Sequence, residues 1–256
     1  MNIRVLGAHN CESKDSRCVS LLIDDIIALD AGALTDSLSF RDQRKLKAVL
    51  LTHQHYDHIK DIPTLGMSLY LQKATVDVYS ILPVYEALTT HLLNAQLYPR
   101  FYEKPPENPT LKFHIMEPYQ TAQIEGYSVL AVPVNHSVPV AGYQITSPEG
   151  KVVFYTGDVG PGLARSWESV SPQLLIIEVT ASDRFEAFGR ESMHLTPLLL
   201  KEELLTFREL KGYLPRVLAI HMSPFIEKEI ETEIAALAEE LKTPIALAHE
   251  GMQLHL

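Results

Sequence analysis

The sequence has few cysteines and no long apolar run, and these absences exclude several classes of protein. Its two cysteines, Cys11 and Cys18, are too few for a disulfide framework and do not form a CxxC metal-binding pair. No apolar stretch approaches the ~18–20 residues that a membrane-spanning helix needs. The N-terminal stretch MNIRVLGAHN lacks the basic and apolar regions of a signal peptide. The sequence therefore predicts a cytoplasmic protein with no membrane contact.

Basic residues are also scarce. Lysine and arginine total 22 against 32 aspartates and glutamates, which gives a formal net charge of −10. Proteins that bind long nucleic acids usually carry a basic surface, and the densest basic stretch here, RDQRKLK at residues 41–47, is short. The charge counts against a long nucleic acid as the partner. It allows a small phosphate ester, because a bound metal ion can outweigh the local protein charge.

Apolar runs alternate with helix-like segments along the whole chain, a pattern typical of α/β proteins. The predicted strands are residues 2–6, 18–24, 26–30, 46–52, 75–80, 126–132, 142–147, 151–156, 173–179 and 216–220. The predicted helices are residues 62–73, 83–95, 197–211 and 227–242. The proline-rich stretch 98–112 is predicted to be irregular. No repeat, low-complexity tract or linker divides the chain, so we expect one domain over residues 1–256.

Four ionisable side chains crowd into the stretch LLTHQHYDHIKDIP at residues 50–63, directly after an apolar run. They are His53, His55, Asp57 and His58. Burying such a group without a cation would be costly. Imidazoles and a carboxylate gathered at one point are suitable ligands for zinc or a similar first-row ion. The stretch therefore predicts a metal site at the end of a strand.

The spacing HxHxDH after an apolar strand resembles the signature of the metallo-β-lactamase-fold hydrolases. The resemblance implies an α/β fold of the metallo-β-lactamase type, a four-layer αβ/βα sandwich. It also implies two divalent metal ions, with zinc expected and manganese or iron as alternatives. Matching motifs later in the chain are VPVNHSVP, FYTGD and LAIHMSP, which supply His136, Asp158 and His221. Asp30, in IIALDAG, matches a residue that supports the site.

The resemblance also assigns each of these residues to a metal ion. The first ion would be bound by His53, His55 and His136. The second would be bound by Asp57, His58 and His221. Asp158 would bridge the two ions.

A finer resemblance separates the subfamilies of this group. The stretches IIEVTASDRFE…SMHLTP (residues 176–197), AIHMSP (219–224) and EGMQL (250–254) resemble the class II cyclic-nucleotide phosphodiesterases. In that family Tyr56 is typically leucine. The resemblance implies a phosphodiesterase that uses metal-bound hydroxide to attack a small phosphodiester, above all a 3′,5′-cyclic nucleotide such as cAMP or cGMP. His194 would be the general acid, Glu178 would orient it, and Asp57 would assist proton transfer as well as bind metal.

Two other functions stay open from the sequence. Glu178 and His194 also resemble those of ribonuclease Z, which processes the 3′ end of tRNA. The basic, glycine-rich arm typical of ribonuclease Z is not evident in residues 98–112 or 159–172. A thioester or lactone hydrolase on the same scaffold is the third candidate, and it would not need His194. The number of chains in the assembly is also open, a homodimer included.

Overall fold

Fourteen strands and nine α-helices form the protein, which the computed structural model describes from residue 1 to residue 256. The first half contains β1 (Asn2–Gly7), β2 (Ser20–Ile23), β3 (Ile27–Leu29), α1 (Leu34–Ser37), α2 (Phe40–Gln43), β4 (Ala48–Leu51), α3 (Tyr56–Ile59), α4 (Ile62–Leu71), β5 (Val76–Ser80), α5 (Leu82–Ala87) and β6 (Leu111–Ile115). The second half contains β7 (Thr121–Ile124), β8 (Tyr127–Val134), β9 (Val140–Thr146), β10 (Val152–Tyr155), α6 (Ala164–Ser169), β11 (Leu174–Glu178), α7 (Glu186–Ser192), α8 (Pro197–Lys211), β12 (Arg216–Ile220), α9 (Glu227–Leu241), β13 (Ile245–Leu247) and β14 (Gln253–His255).

The strands form two seven-stranded sheets. The first sheet has the order β14-β1-β2-β3-β4-β5-β6, and the second has the order β13-β12-β11-β10-β9-β8-β7. In each sheet four consecutive strands are parallel, β3 to β6 in the first and β10 to β13 in the second. The carboxyl ends of parallel strands lie at one edge of a sheet, which is where α/β proteins commonly bind ligands.

Side chains on both faces of the central strands are buried, because each sheet has the other sheet on one face and helices on the other. In β4, Ala48 and Leu50 pack in the core shared with the second sheet. Val49 and Leu51 pack in a separate core with Leu65 and other residues of α4. This alternation follows from the two-residue period of a strand. The layers are therefore helix, sheet, sheet and helix, and the predicted four-layer sandwich is confirmed.

The outer face of the second sheet is covered by α8 and α9. Their buried residues recur every three or four positions, as in an amphipathic helix; they are Leu200, Leu204 and Phe207 in α8, and Ile230, Ile234 and Leu237 in α9. The start of α8 is fixed by Thr196, whose side chain accepts a hydrogen bond from the backbone N–H of Leu199, and by Pro197 in the first turn. This cap fixes the backbone two residues after His194.

The long strands and helices are close to the predicted ones, and the differences fall on short or irregular segments. The predicted helix 83–95 is only α5 followed by a π-helical turn over Leu88–Leu92. The stretch 98–112, predicted to be irregular, ends inside edge strand β6. The predicted elements also do not include β7, β14, α6 or α7, which have three to seven residues each. None of the helices is long and apolar enough to cross a membrane.

Candidate metal centre

Seven histidine and aspartate side chains from distant parts of the chain meet at one edge of the two sheets. Each follows the carboxyl end of a strand: β4 for the HxHxDH motif, β8 for His136, β10 for Asp158 and β12 for His221. The ligand atoms of His53, His55, His136 and Asp158 all lie within 4.8 Å of one another. Those of Asp57, His58 and His221 form a second group of the same kind. The structure thus brings together every residue that the sequence proposed as a metal ligand.

Asp158 lies between the two groups. One of its carboxylate oxygens is 3.7 Å from His53 Nε2 and 3.4 Å from His221 Nε2, and the other is 3.2 Å from His58 Nε2. Gly157 allows this approach, because a Cβ at that position would lie 2.7 Å from the side chain of Thr52. A carboxylate that faces both groups is suited to bridge two cations.

Hydrogen bonds at Nδ1 fix the orientation of four imidazoles. His53 Nδ1 lies 3.0 Å from the Thr52 hydroxyl, and His58 Nδ1 lies 2.7 Å from Asp30. The corresponding partner is the Met193 carbonyl for His136 (2.8 Å) and the Thr180 hydroxyl for His221 (2.8 Å). Each ring therefore donates from Nδ1 and turns Nε2, the nitrogen that would bind a metal ion, toward the cluster. His55 differs, since its Nδ1 faces His136 Nε2 at 3.4 Å.

The cluster has the donor chemistry of a divalent metal site. His53 Nε2, His58 Nε2 and one oxygen of Asp158 are buried and have no hydrogen-bond partner, which is costly for polar atoms in a protein interior. Burial, together with the charges of neighbouring histidines, lowers the pKa of His53 and of His55. These imidazoles are therefore neutral at physiological pH, the form that binds metal.

The charges of Asp158 and His58 also favour a cation. Burial lowers the pKa of His58, but the carboxylates of Asp158 and Asp30 outweigh it and raise the pKa well above its usual value. Burial raises the pKa of Asp158, but His221 and His58 outweigh it and hold the pKa well below the usual range. The carboxylate of Asp158 therefore stays ionised and attracts positive charge. Divalent ions would supply the charge that a proton on His58 otherwise provides.

A buried glutamate and a histidine stand beside the metal cluster. Glu178, the last residue of β11, is fully buried, and its Oε1 accepts a 2.7 Å hydrogen bond from Nδ1 of His194. Its carboxylate also accepts from the backbone N–H groups of Val159 and Leu195 and from the Thr180 hydroxyl. Burial lowers the pKa of His194, but the charge and hydrogen bond of Glu178 outweigh it and raise the pKa to about 9. His194 is therefore a protonated imidazole at neutral pH, next to Asp158 and His221.

Three hydroxyl groups that the sequence did not single out connect these residues. The Tyr155 hydroxyl donates to Asp30 at 2.6 Å across the space between the sheets, and the Thr52 hydroxyl donates to the same carboxylate at 2.9 Å. The Thr180 hydroxyl donates to Glu178 and accepts from His221, so it joins the metal cluster to the Glu178–His194 pair. The contact of Tyr155 with Asp30 depends on how the two sheets stack, which no local motif encodes.

Replacing Tyr155 with phenylalanine is expected to weaken metal binding by about 10- to 100-fold, the usual effect of losing a group that orients a ligand. The substitution leaves Asp30 without one donor, so His58 is held less firmly. Tyr143→Phe is the matched control, because Tyr143 is equally buried between the sheets but donates to the Leu51 carbonyl at 2.8 Å. Competition with a chelator measures both variants. Equal metal affinities in the two variants would contradict the role of Tyr155.

Comparison with known proteins agrees with this geometry. Over 156 residues the chain is 28% identical to ribonuclease Z from Acaryochloris marina, a match that covers 57% of this chain and 47% of that protein. The chain therefore spans about half the length of this curated relative. Among solved structures, unliganded yeast PDE1 superimposes with a TM-score of 0.85 at 17% identity, over 100% of this chain and 99% of that one.

Two further solved structures share the fold. The metallo-beta-lactamase fold protein YhfI from Bacillus subtilis has a TM-score of 0.78 at 19% identity, over 99% of this chain and 98% of that one. The short form of human tRNase Z has a TM-score of 0.70 at 17% identity, over 100% and 99% of the two chains. The family model described as the beta-lactamase superfamily domain matches residues 22–222, which include all seven clustered residues. The chain therefore belongs to the beta-lactamase superfamily, and it has the metallo-β-lactamase fold with a cluster of His and Asp side chains that could hold metal ions.

Proposed function

We propose that the protein is a phosphodiesterase that hydrolyses a small phosphodiester, with 3′,5′-cyclic nucleotides as the preferred class. The observation that carries the proposal is the Glu178–His194 pair beside the cluster, with Nδ1 of His194 held 2.7 Å from a fully buried carboxylate. A phosphodiester needs such a pair because its leaving alkoxide is unstable unless it is protonated as it departs. A thioester releases a thiolate, which is a better leaving group and needs no such acid.

The residues proposed to hold the ions divide into two sets that share Asp158. His53, His55 and His136 would hold one divalent ion, and Asp57, His58 and His221 would hold the other. Zinc is expected from the number of imidazoles, with manganese or iron as alternatives. When bound, the two ions would stabilise the negative charge on the phosphate and lower the pKa of a water molecule toward neutrality.

His194 would act as the general acid. Its Nδ1 proton is held by Glu178, so Nε2 carries the proton that the leaving oxygen accepts. Glu178 stabilises the positive charge of the imidazole and fixes its orientation, and the Thr180 hydroxyl lies 3.3 Å from the same Nδ1. Asp57, whose Oδ2 is 3.3 Å from His221 Nε2, would accept a proton from water near the cluster as well as bind metal.

A substrate panel tests the proposal. Metal-loaded protein is assayed with cAMP, cGMP, a bis-aryl phosphodiester, a thioester and a lactone, before and after removal of metal with a chelator. We expect the phosphodiesters to be hydrolysed with the highest kcat/KM, loss of activity on chelation and recovery with zinc or manganese. A thioester or lactone that is preferred over every phosphodiester would contradict the proposal.

Processing of tRNA is the second candidate, favoured by the identity to ribonuclease Z over 156 residues. Its test is cleavage of a precursor tRNA at several salt concentrations, since binding through many phosphates weakens steeply as salt rises. With a net charge of −10, we expect cleavage to be slower than cAMP hydrolysis. Efficient cleavage with a steep salt dependence would favour the nuclease over the small-substrate enzyme.

A further inference from the structure

An apolar groove opens at the same edge of the sheets as the metal cluster. Its volume is about 340 Å³, which is within the range of small-molecule sites. Segments that follow β5 and β6 in the first sheet form one side, and the facing ends of β8 and β9 in the second sheet form the other. The lining includes Ile81, Leu82, Pro83, Ile115, Met116 and Val140.

The groove and the metal cluster share the β8–β9 turn. His136 lies in this turn, and Val134 before it and Val140 after it both line the groove. The backbone N–H of Ala141, another lining residue, donates to the Thr52 carbonyl at 3.0 Å, one residue before His53. The lining of the groove therefore begins two residues from His136, a member of the cluster.

The chemistry of the lining selects an uncharged ligand. Four of the lining residues are prolines, which have no backbone N–H to offer. The backbone N–H groups of Met116 and Ala141 already donate to the carbonyls of Ser80 and Thr52. The charged residue in the lining is Glu117, whose carboxylate would repel a phosphate. The phosphate of a diester is therefore directed to the cluster and its uncharged part to the groove.

We infer that this groove binds the uncharged ring of one ester group of the substrate, which is the base in the case of a nucleotide. The inference rests on the proposed function, because it assumes that the substrate's phosphate occupies the cluster. Apolar walls with few free donors recognise a ring by its surface and not by its hydrogen-bonding pattern. The groove therefore favours large aromatic esters and discriminates weakly between bases.

A series of p-nitrophenyl phosphodiesters tests the inference, with methyl, phenyl or 2-naphthyl as the second ester group. We expect kcat/KM of the wild-type protein to rise about tenfold or more from methyl to naphthyl, the scale on which apolar pockets discriminate. Leu82→Glu and Ile115→Glu should reduce this rise in kcat/KM to about twofold. The kcat/KM for the methyl ester should not change, because these side chains are 50% and 37% exposed and distant in sequence from the cluster. Leu210→Glu, on the exposed side of α8 at 45% exposure, is the control and should keep the full rise.

A rise that persists in both groove variants would overturn the inference. If no phosphodiester in the series is hydrolysed, the proposed function fails, and direct binding decides on the groove alone. Saturation-transfer NMR with adenosine, an uncharged nucleoside, should then give a signal with the wild-type protein that is lost in Ile115→Glu. Equal signals from the two proteins would overturn the groove as a binding site.

Discussion

Asp158→Ala is expected to lose both metal ions and to lower kcat/KM by about a thousandfold or more. Asp158 is 3.7 Å from His53 Nε2 and 3.2 Å from His58 Nε2, so it faces both halves of the cluster. A metal pair contributes several kcal/mol of transition-state stabilisation, and each factor of ten in rate corresponds to about 1.4 kcal/mol. Metal analysis of the purified variant and its activity under metal excess measure the two effects.

Asp158→Asn is the matched variant for this prediction. It keeps the size of the buried side chain and removes its charge, so it separates the loss of a ligand from the formation of a cavity. Circular dichroism shows whether each variant is folded. Two tightly held ions in a folded Asp158→Ala protein would contradict the bridging position of this carboxylate.

His194→Ala is expected to lower kcat on cAMP by about 10²- to 10⁴-fold, the usual contribution of a general acid, while the metal content stays near that of the wild type. The effect should be much smaller with a p-nitrophenyl phosphodiester, because p-nitrophenolate leaves without being protonated. The pKa of His194 is raised to about 9, so the imidazole is protonated below pH 9. Wild-type activity on cAMP should therefore fall as the pH rises above about 9.

Glu178→Gln is the companion variant. It removes the charge that raises the pKa of His194, so the alkaline fall in kcat should move to lower pH. The amide oxygen can keep the hydrogen bonds that Oε1 accepts from the backbone N–H of Val159 and from His194 Nδ1, whereas the amide NH2 replaces the acceptor of the Leu195 N–H. Loss of metal from His194→Ala would show that His194 is a ligand, and an equal loss of rate on both leaving groups would contradict the role of acid.

Local sequence was enough to predict a metal site at the HxHxDH stretch, whereas His136, Asp158 and His221 were proposed as ligands through the family resemblance. These three residues follow β8, β10 and β12, which run in the same direction in the second sheet, so they lie at one edge. The apolar strands indicate sheets that are covered on both sides, whereas the four-layer arrangement came from the family resemblance.

Contacts between the sheets could not be predicted from the sequence. Tyr155 contacts Asp30 only because the sheets stack with those residues opposite each other, 125 positions apart in the chain. Asp30 and His221 also adopt left-handed backbone conformations, with φ of 55° and 68°; such conformations are uncommon for residues other than glycine and occur often at functional sites. The apolar groove is likewise formed by four separate segments. These features depend on tertiary packing and leave no local pattern.

Titration of the metal-free protein with Co²⁺, followed by visible absorption, tests the central claim most directly. Cobalt replaces zinc at imidazole-rich sites and reports the number and geometry of the ions bound. The seven clustered side chains are expected to bind two equivalents per chain, with the absorption changed by His136→Ala and by His221→Ala. Saturation at one equivalent or none, or spectra that neither substitution alters, would contradict a two-ion centre at this edge of the sheets.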